Sequence, residues 1–351
     1  MRRTCIAVLI ALWPGLASVG LSWEESSRFL AGYGEQPAET DVSLGDCGPM
    51  CDQACADVGW TSDPCCGCWN ASLDWVQMWR VKTGSNFPLL YDPGQTSIYD
   101  TTDLDFASAA GIDARLGYLG PSRRGVECRY FWLSSLQSDN LIAPGATGLW
   151  MARTLPITPV LHDLAGATAP YSTDFQTFEL LGRHPLGWFE LTYGFRYAEL
   201  DELFRPVATN GAGYAFAADN DLYGFQIGMD GPLWANGGRL SIVGDIKAGI
   251  YYNDVRTRSA VFSPVSTLGS ATASHGGAAF LGEVGVSAVY DLTPSVSLRL
   301  GYLVFFVDGV ALSADQVPNT GNLVGANPRV NADDANTLIL QGLQLGAEYR
   351  F

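Results

Sequence analysis

Phe189-Glu190-Leu191-Thr192-Tyr193-Gly194-Phe195-Arg196-Tyr197-Ala198 alternates without a break between a large apolar side chain and a polar or small one. A helix cannot carry a period of two. A strand does, because successive side chains leave on opposite faces. One face of this strand is Phe189, Leu191, Tyr193, Phe195 and Tyr197; the other carries a carboxylate and a guanidinium, Glu190 and Arg196.

The same period recurs on both sides of this stretch. In 73–82 Leu73, Trp75, Trp79 and Val81 share a face, broken by Gln77, against Asp74, Arg80 and Lys82. In 112–118 Ile112, Ala114, Leu116 and Tyr118 oppose Asp113 and Arg115, and in 126–133 Val126, Cys128, Tyr130 and Trp132 oppose Glu127 and Arg129. A shorter window, 176–183, sets Phe178 and Leu180 against Glu179 and Arg183. Downstream, 222–229 sets Tyr223, Phe225, Ile227 and Met229 against Gln226, and 239–252 sets Ile242, Ile246 and Ile250 against Arg239, Asp245 and Lys247. Windows 280–290 with Glu283, 296–307 with Arg299, and 337–351 with Gln344, Glu348 and Arg350 complete the series.

These windows predict about ten strands. Short links at 119–125, 184–187, 230–238 and 291–295 alternate with long ones at 83–105, 134–174, 201–220, 255–277 and 309–336. That rhythm predicts an all-β, transmembrane, up-and-down antiparallel β-barrel, with short turns on the periplasmic side and long loops outside. An even strand count returns the C-terminus to the side where the barrel begins. A hairpin hidden within 134–174 would raise the count to twelve.

A soluble barrel or sandwich would use the same period with its apolar face inward. The inverse arrangement is favoured here, because the polar faces mix glycine with both signs of charge, as a hydrated lumen does. The apolar faces place Trp, Tyr and Phe near strand ends, as interfacial girdles do.

Composition narrows the classes further. A net charge of −16, a pI near 4.4 and no basic run exclude a surface built for nucleic acid. No window beyond residue 20 holds eighteen consecutive apolar residues, so helical membrane spanning is also excluded. Residues 1–20 read as a signal peptide: Arg2 and Arg3 precede the apolar run Cys5 to Leu12 and the small residues Ala17-Ser18-Val19-Gly20. Residues 21–70 form an acidic, Cys-rich extension, and 71–351 form the barrel.

In the extension, Cys47, Cys51, Cys55, Cys65, Cys66 and Cys68 are disulfide candidates, since an exported segment this short cannot bury a core. The i, i+4, i+8 spacing of the first three also suits a thiolate metal site, but no histidine lies nearby and that spacing is not the paired C-x2-C form. No metal and no cofactor are expected.

The chain ends Gln344-Leu345-Gly346-Ala347-Glu348-Tyr349-Arg350-Phe351. Gln344, Gly346, Tyr349 and Phe351 resemble the barrel-assembly signal of bacterial outer-membrane proteins, which implies barrel-assembly machinery and outer-membrane lipid as partners. Residues from about 70 to 351 are also similar to the beta-barrel porin-7 family of planctomycete-type outer-membrane proteins. The likeness rests on Gly194-Phe195-Arg196-Tyr197 with Leu200-Asp201-Glu202, on Tyr223-Gly224 with Gln226 and Gly228, and on Lys247-Ala248-Gly249. It continues through Gly282-Glu283 with Gly285, Tyr290 with Leu292-Thr293-Pro294, Gly301-Tyr302, Asp308-Gly309-Val310-Ala311-Leu312, and Gln341-Gly342-Leu343-Gln344-Leu345-Gly346. Gln341 departs from the pattern, where a His is expected. The resemblance implies fold and an outer-membrane location more firmly than transport.

Catalytic chemistry leaves little trace. His162, His184 and His275 have no metal-ligand spacing, and no G-x-S-x-G elbow occurs. Asp201, Glu202 and His275 are the only grounds for an outer-rim hydrolase, so no catalytic residue is assigned and no enzyme is expected. Asp333 and Asp334, within the Asn327 to Asn336 run, lack the spacing of a calcium loop and read as solvated acids.

The expected lumen is a set of charges: Asp113, Arg115, Glu127, Arg129, Glu179, Glu190, Arg196, Asp245, Lys247, Glu283 and Arg299, joined by Asp74, Arg80, Lys82, Arg183, Arg239, Glu348 and Arg350. Near balance of sign predicts cross-barrel ion pairs. The function read from the sequence is a narrow porin for small solutes. A non-conducting structural or surface protein of the envelope is the alternative, with the Cys-rich segment held by an envelope partner.

Overall fold

The computed structural model describes residues 67–81, 87–91, 96–120, 124–142, 150–151, 166–235, 237–320, 323 and 330–351. The signal peptide, Lys82, His162 and the cysteines at 47–66 lie outside them.

Ten long strands build the barrel: β1 (Cys68–Val81), β2 (Ala109–Leu119), β3 (Gly125–Ile142), β4 (Ala167–Leu186), β5 (Phe189–Phe204), β6 (Gly213–Ala235), β7 (Leu240–Phe262), β8 (Thr267–Thr293), β9 (Val296–Val310) and β10 (Asn336–Arg350). Each pairs antiparallel with its sequence neighbour. Pairing of β1 with β10, from Asn70↔Arg350 to Val81↔Ile339, closes the ring and leaves no edge within the membrane. On the periplasmic side β4 and β5 meet through a two-residue turn in which Gly187 takes φ +65°, a conformation that hairpin turns require and side chains resist.

The strands run further than their amphipathic windows. Much of the connections expected at 134–174, 201–220 and 255–277 is strand: β6 and β7 reach 23 residues each and β8 reaches 27. The barrel therefore rises outside as a tall wall from β3 to β8, while β9, β10, β1 and β2 stop short. Among the described residues only small strands are added: Pro88–Tyr91, Ser97–Asp100 and Trp150–Met151 form a separate sheet, and Val207–Ala208 joins the rim of the wall.

Side chains sort by face. Phe225 and Ile250 are each 74% exposed on the outside, among Leu73, Trp75, Val126, Leu180, Tyr193, Leu300 and Leu345. Contiguous apolar surface of this extent is incompatible with water. From Trp69 to Trp79 along tilted β1, this belt is about 25 Å tall, the thickness of an outer-membrane hydrocarbon layer. The protein is an outer-membrane β-barrel. Trp69, Tyr118, Trp188, Tyr349 and Phe351 lie at the inner rim of the belt, and Trp79, Tyr197, Tyr223 and Tyr252 lie at the outer rim.

Candidate functional site

The lumen is the candidate site, and it is filled from the periplasmic end outward. At the bottom, Arg183 of β4 binds Glu127 at 2.7 Å, Glu190 at 2.6 Å and Asp230 at 2.7 Å. Across from it, Arg299 reaches Glu348 at 3.0 Å and Asp74 at 3.3 Å, and Arg350 binds Glu348 at 2.9 Å. Gly346 faces Asp74 across the ladder, and a Cβ there would strike the Asp74 carboxylate, so the glycine makes room for the acid.

The next layer is buried apart from the partly exposed Arg115. Arg129 of β3 holds Asp113 through two bonds of 2.8 Å, Glu179 at 3.0 Å, and Glu283. Arg196 of β5 holds Glu179 at 2.7 Å, Glu283 at 2.5 Å, Thr177 at 2.9 Å and Gln226 at 3.1 Å. Lys247 and Gln226 complete the shell of Glu179 at 3.0 and 2.6 Å. Gln344 donates to Asp74 at 2.8 Å and Asp113 at 3.1 Å, and Arg115 binds Asp113 at 2.9 Å. Glu283 on β8 stands five strands from Arg129 in either direction, so their pair crosses the lumen. Charges this deep are tolerated because each has an opposite partner, and Asp113, Arg129, Glu179, Arg196 and Glu283 have two or more.

Above the charges lies an apolar layer. Phe131, Phe175 and Phe305 point inward, with ring centroids 6.0, 4.9 and 5.3 Å apart, and Val76, Met78, Leu133, Leu200, Leu281 and Leu340 pack around them. Higher still, Arg80 sits 4.6 Å over Phe106 and 5.0 Å over Tyr171 and binds Glu202 at 2.5 Å. Tyr171 also donates to Glu202.

The structure thus brings together Asp113, Arg129, Glu179, Arg196, Lys247 and Glu283, and in the lower layer Glu127, Glu190 and Arg299. Asp245 faces inward opposite Gly285, directly across from Asp230, and Arg239 is exposed in the periplasmic turn rather than in the lumen. Glu202 was read as a rim acid and Asp230 was missed, because both fall in segments read as loops. Continuing the even-numbered face from Arg196 to Glu202, and from Gln226 to Asp230, would have found them. Tyr349 and Phe351 stack at 5.6 Å on the outside, and Cys68 Sγ lies 3.8 Å from the Phe351 carbonyl oxygen.

The rim candidates do not converge. Asp201 points outward and Glu202 inward, as neighbours on a strand must, and His275 lies 3.6 Å from Asp334. Among the described residues no cluster of His, Cys, Asp and Glu is arranged to hold a metal ion. Above the outer tyrosines, Asp174, Asp201 and Asp219 form one outward cross-strand row and Glu199, Asp221 and Asp254 another. Tyr197 donates to Asp221 at 2.7 Å, and Arg258 binds Asp219 at 3.0 Å.

No family model matches the chain, and no curated protein matches it. Solved structures similar to it are outer-membrane proteins. The protease OmpT of Escherichia coli shares 13% identity at a TM-score of 0.45, covering 81% of this chain and 96% of that one. The translocator domain of the autotransporter NalP from Neisseria meningitidis shares 12% identity at 0.39, covering 86% and 94%. A major outer membrane protein of Thermus thermophilus shares 13% at 0.30, covering 81% and 99%.

Proposed function

We propose that the protein is a closed, non-conducting barrel of the outer membrane, serving the envelope as a structural and surface-presenting element. The observation that carries this reading is the contact of Phe305 with Phe131 and Phe175 across the lumen, stacked on the Arg129–Arg196–Glu179–Glu283 layer. Ten strands lie near the size at which side chains fill the bore. Here two successive layers do so, one apolar and one ionic. Passage of a hydrated solute requires both to part, which means separating buried charges from their partners.

The narrow-porin reading needs a state in which these layers are displaced. The tall outer wall, with its acidic face above the tyrosine girdle, suits display to the exterior. Resemblance to the porin-7 family enters this proposal through location and fold, and the terminal Gln344, Gly346, Tyr349 and Phe351 support recognition by barrel-assembly machinery. Swelling of liposomes carrying the refolded protein in small neutral sugars tests the closed state. Swelling at the rate of protein-free liposomes is expected; rapid swelling overturns the proposal.

A further inference from the structure

The connection from β9 to β10 does not stay outside. Val310 to Val317 are eight consecutive residues buried to 8% exposure or less, with Ala311, Leu312 and Ser313 at 1% or below. A loop buried inside a barrel would strand its backbone polar groups unless the wall satisfied them. Three strands of the wall do so. Asn220 of β6 accepts from the Ala311 N–H at 2.8 Å and donates to the Ala311 carbonyl at 2.9 Å. Asn253 of β7 donates to the Gly309 carbonyl at 3.0 Å and to Asn220 Oδ1 at 3.1 Å. Glu202 of β5 accepts from the Ser313 N–H at 2.9 Å. Alternate residues 309, 311 and 313 are thus gripped through their backbone, by side chains.

The attachment differs in kind from the ladders around it. The β9–β10 pairing ends at Val310↔Asn336 after a register shift beyond Asp308, and Gly309 there takes φ +78°. That glycine is a hinge position, since its conformation is one that side chains rarely adopt. Beyond it the segment closes on itself: Gln316 donates to the Leu312 carbonyl at 3.1 Å, and it exchanges bonds of 2.8 and 3.0 Å with the backbone of Asp333. The segment is a compact unit with a hinge at one end, held along its length by a few side-chain bonds and by the packing of Ala311, Leu312, Ala314 and Val317 against the wall, with no β-ladder beyond Val310. Units of that kind open below the free energy of the whole fold.

We propose that residues 309–317 are a hinged plug that undocks as a unit while the barrel stays closed, opening a blind outer pocket lined by Leu200, Glu202, Asn220, Leu222 and Asn253. The floor of the pocket is the Phe131–Phe175–Phe305 layer, so undocking exposes the pocket to the exterior without creating a pore. Conductance and plug motion are therefore separate observables, and failure of either leaves the other standing.

Hydrogen exchange read by mass spectrometry on the full chain in detergent tests the plug. Amides of 311–317 are expected to exchange at least about tenfold faster than those of Leu303–Val307, and Asn220→Ala is expected to add about another tenfold to the plug alone. Equal rates for the two segments in the native protein overturn the proposal. A second readout needs no clamp variant. In Ser313→Cys, the label added by a membrane-impermeant maleimide beyond that of the parent chain should appear while the barrel remains folded. Labelling only on global unfolding overturns it.

Discussion

Phe305 and Phe175 stand on β9 and β4, five strands apart in either direction around the ring, and their ring centroids meet at 5.3 Å. Two side chains from opposite walls therefore touch at the axis. Phe131 closes the third side, at 4.9 Å from Phe305 and 6.0 Å from Phe175. Replacing Phe305 by Ala removes the ring that both others contact, and a destabilisation of about 3–5 kcal/mol is expected. Urea unfolding of the lipid-refolded variant measures it; a change below about 1 kcal/mol would show that the layer is not packed.

Truncating one member of the ionic layer should cost as much for a different reason. Glu179 accepts from Arg129, Arg196, Gln226 and Lys247, all buried with it. In Glu179→Ala three cations lose a shared partner, and about 3–5 kcal/mol is the expected loss. Arg350→Ala at the periplasmic rim should fall within about 1 kcal/mol. Comparison of the two unfolding midpoints checks the order, and equal losses would contradict it.

The outer belt predicts a depth dependence. Ile227 is 58% exposed on the lipid face of β6, and Arg in its place should cost about 2–4 kcal/mol in a lipid-refolding titration. The same change at Ser270, exposed on β8 well above the outer tyrosines, should cost little. An inverted order would mean that the faces are assigned backwards.

Above the membrane, Asp201 faces Asp174 and Asp219 across the ladder and lies close to Glu199 and Asp221. Partial burial, then Glu199, Asp219 and Asp221, push its carboxyl up to about 7. A folded-state value above the ordinary carboxyl range means that the native protein binds the proton more tightly than the unfolded chain. The penalty is therefore full above about pH 7, shrinks as pH falls through 7, and vanishes below the unfolded value near 4. Asp201→Asn should stabilise the protein at pH 8 and change it little at pH 4.5. Unfolding midpoints of both proteins across that range decide it, and a parallel pH dependence would refute the assignment.

How much was legible follows from amplitude. Phe189 to Ala198 read plainly as a strand because its lipid face is aromatic and its lumen face charged. The same strand continues to Phe204, but its outward side chains become Glu199 and Asp201 once it leaves the membrane. Without lipid to demand apolar residues, the contrast between faces collapses, so the tops of β3 to β8 resemble loops. The lumen position of Glu202 was hidden with them. The aromatic layer was hidden otherwise: Phe131 sits between Tyr130 and Trp132, and an apolar residue on the lumen face leaves no mark in such a run. The plug, Gly309 to Val317, is a short stretch without a strand period, and its burial depends on Glu202, Asn220 and Asn253, far away in sequence. The charged layers were readable as residue types, while their pairing depends on register and ring order.

Single-channel recording in planar bilayers tests the closed lumen most directly, with the native protein and a Phe175→Ala/Phe305→Ala variant side by side. Native protein should give no steps, or rare small ones, at voltages where general porins conduct steadily, and the variant should raise their frequency or size by opening the apolar layer. Large, stable steps from the native protein would contradict the filled barrel.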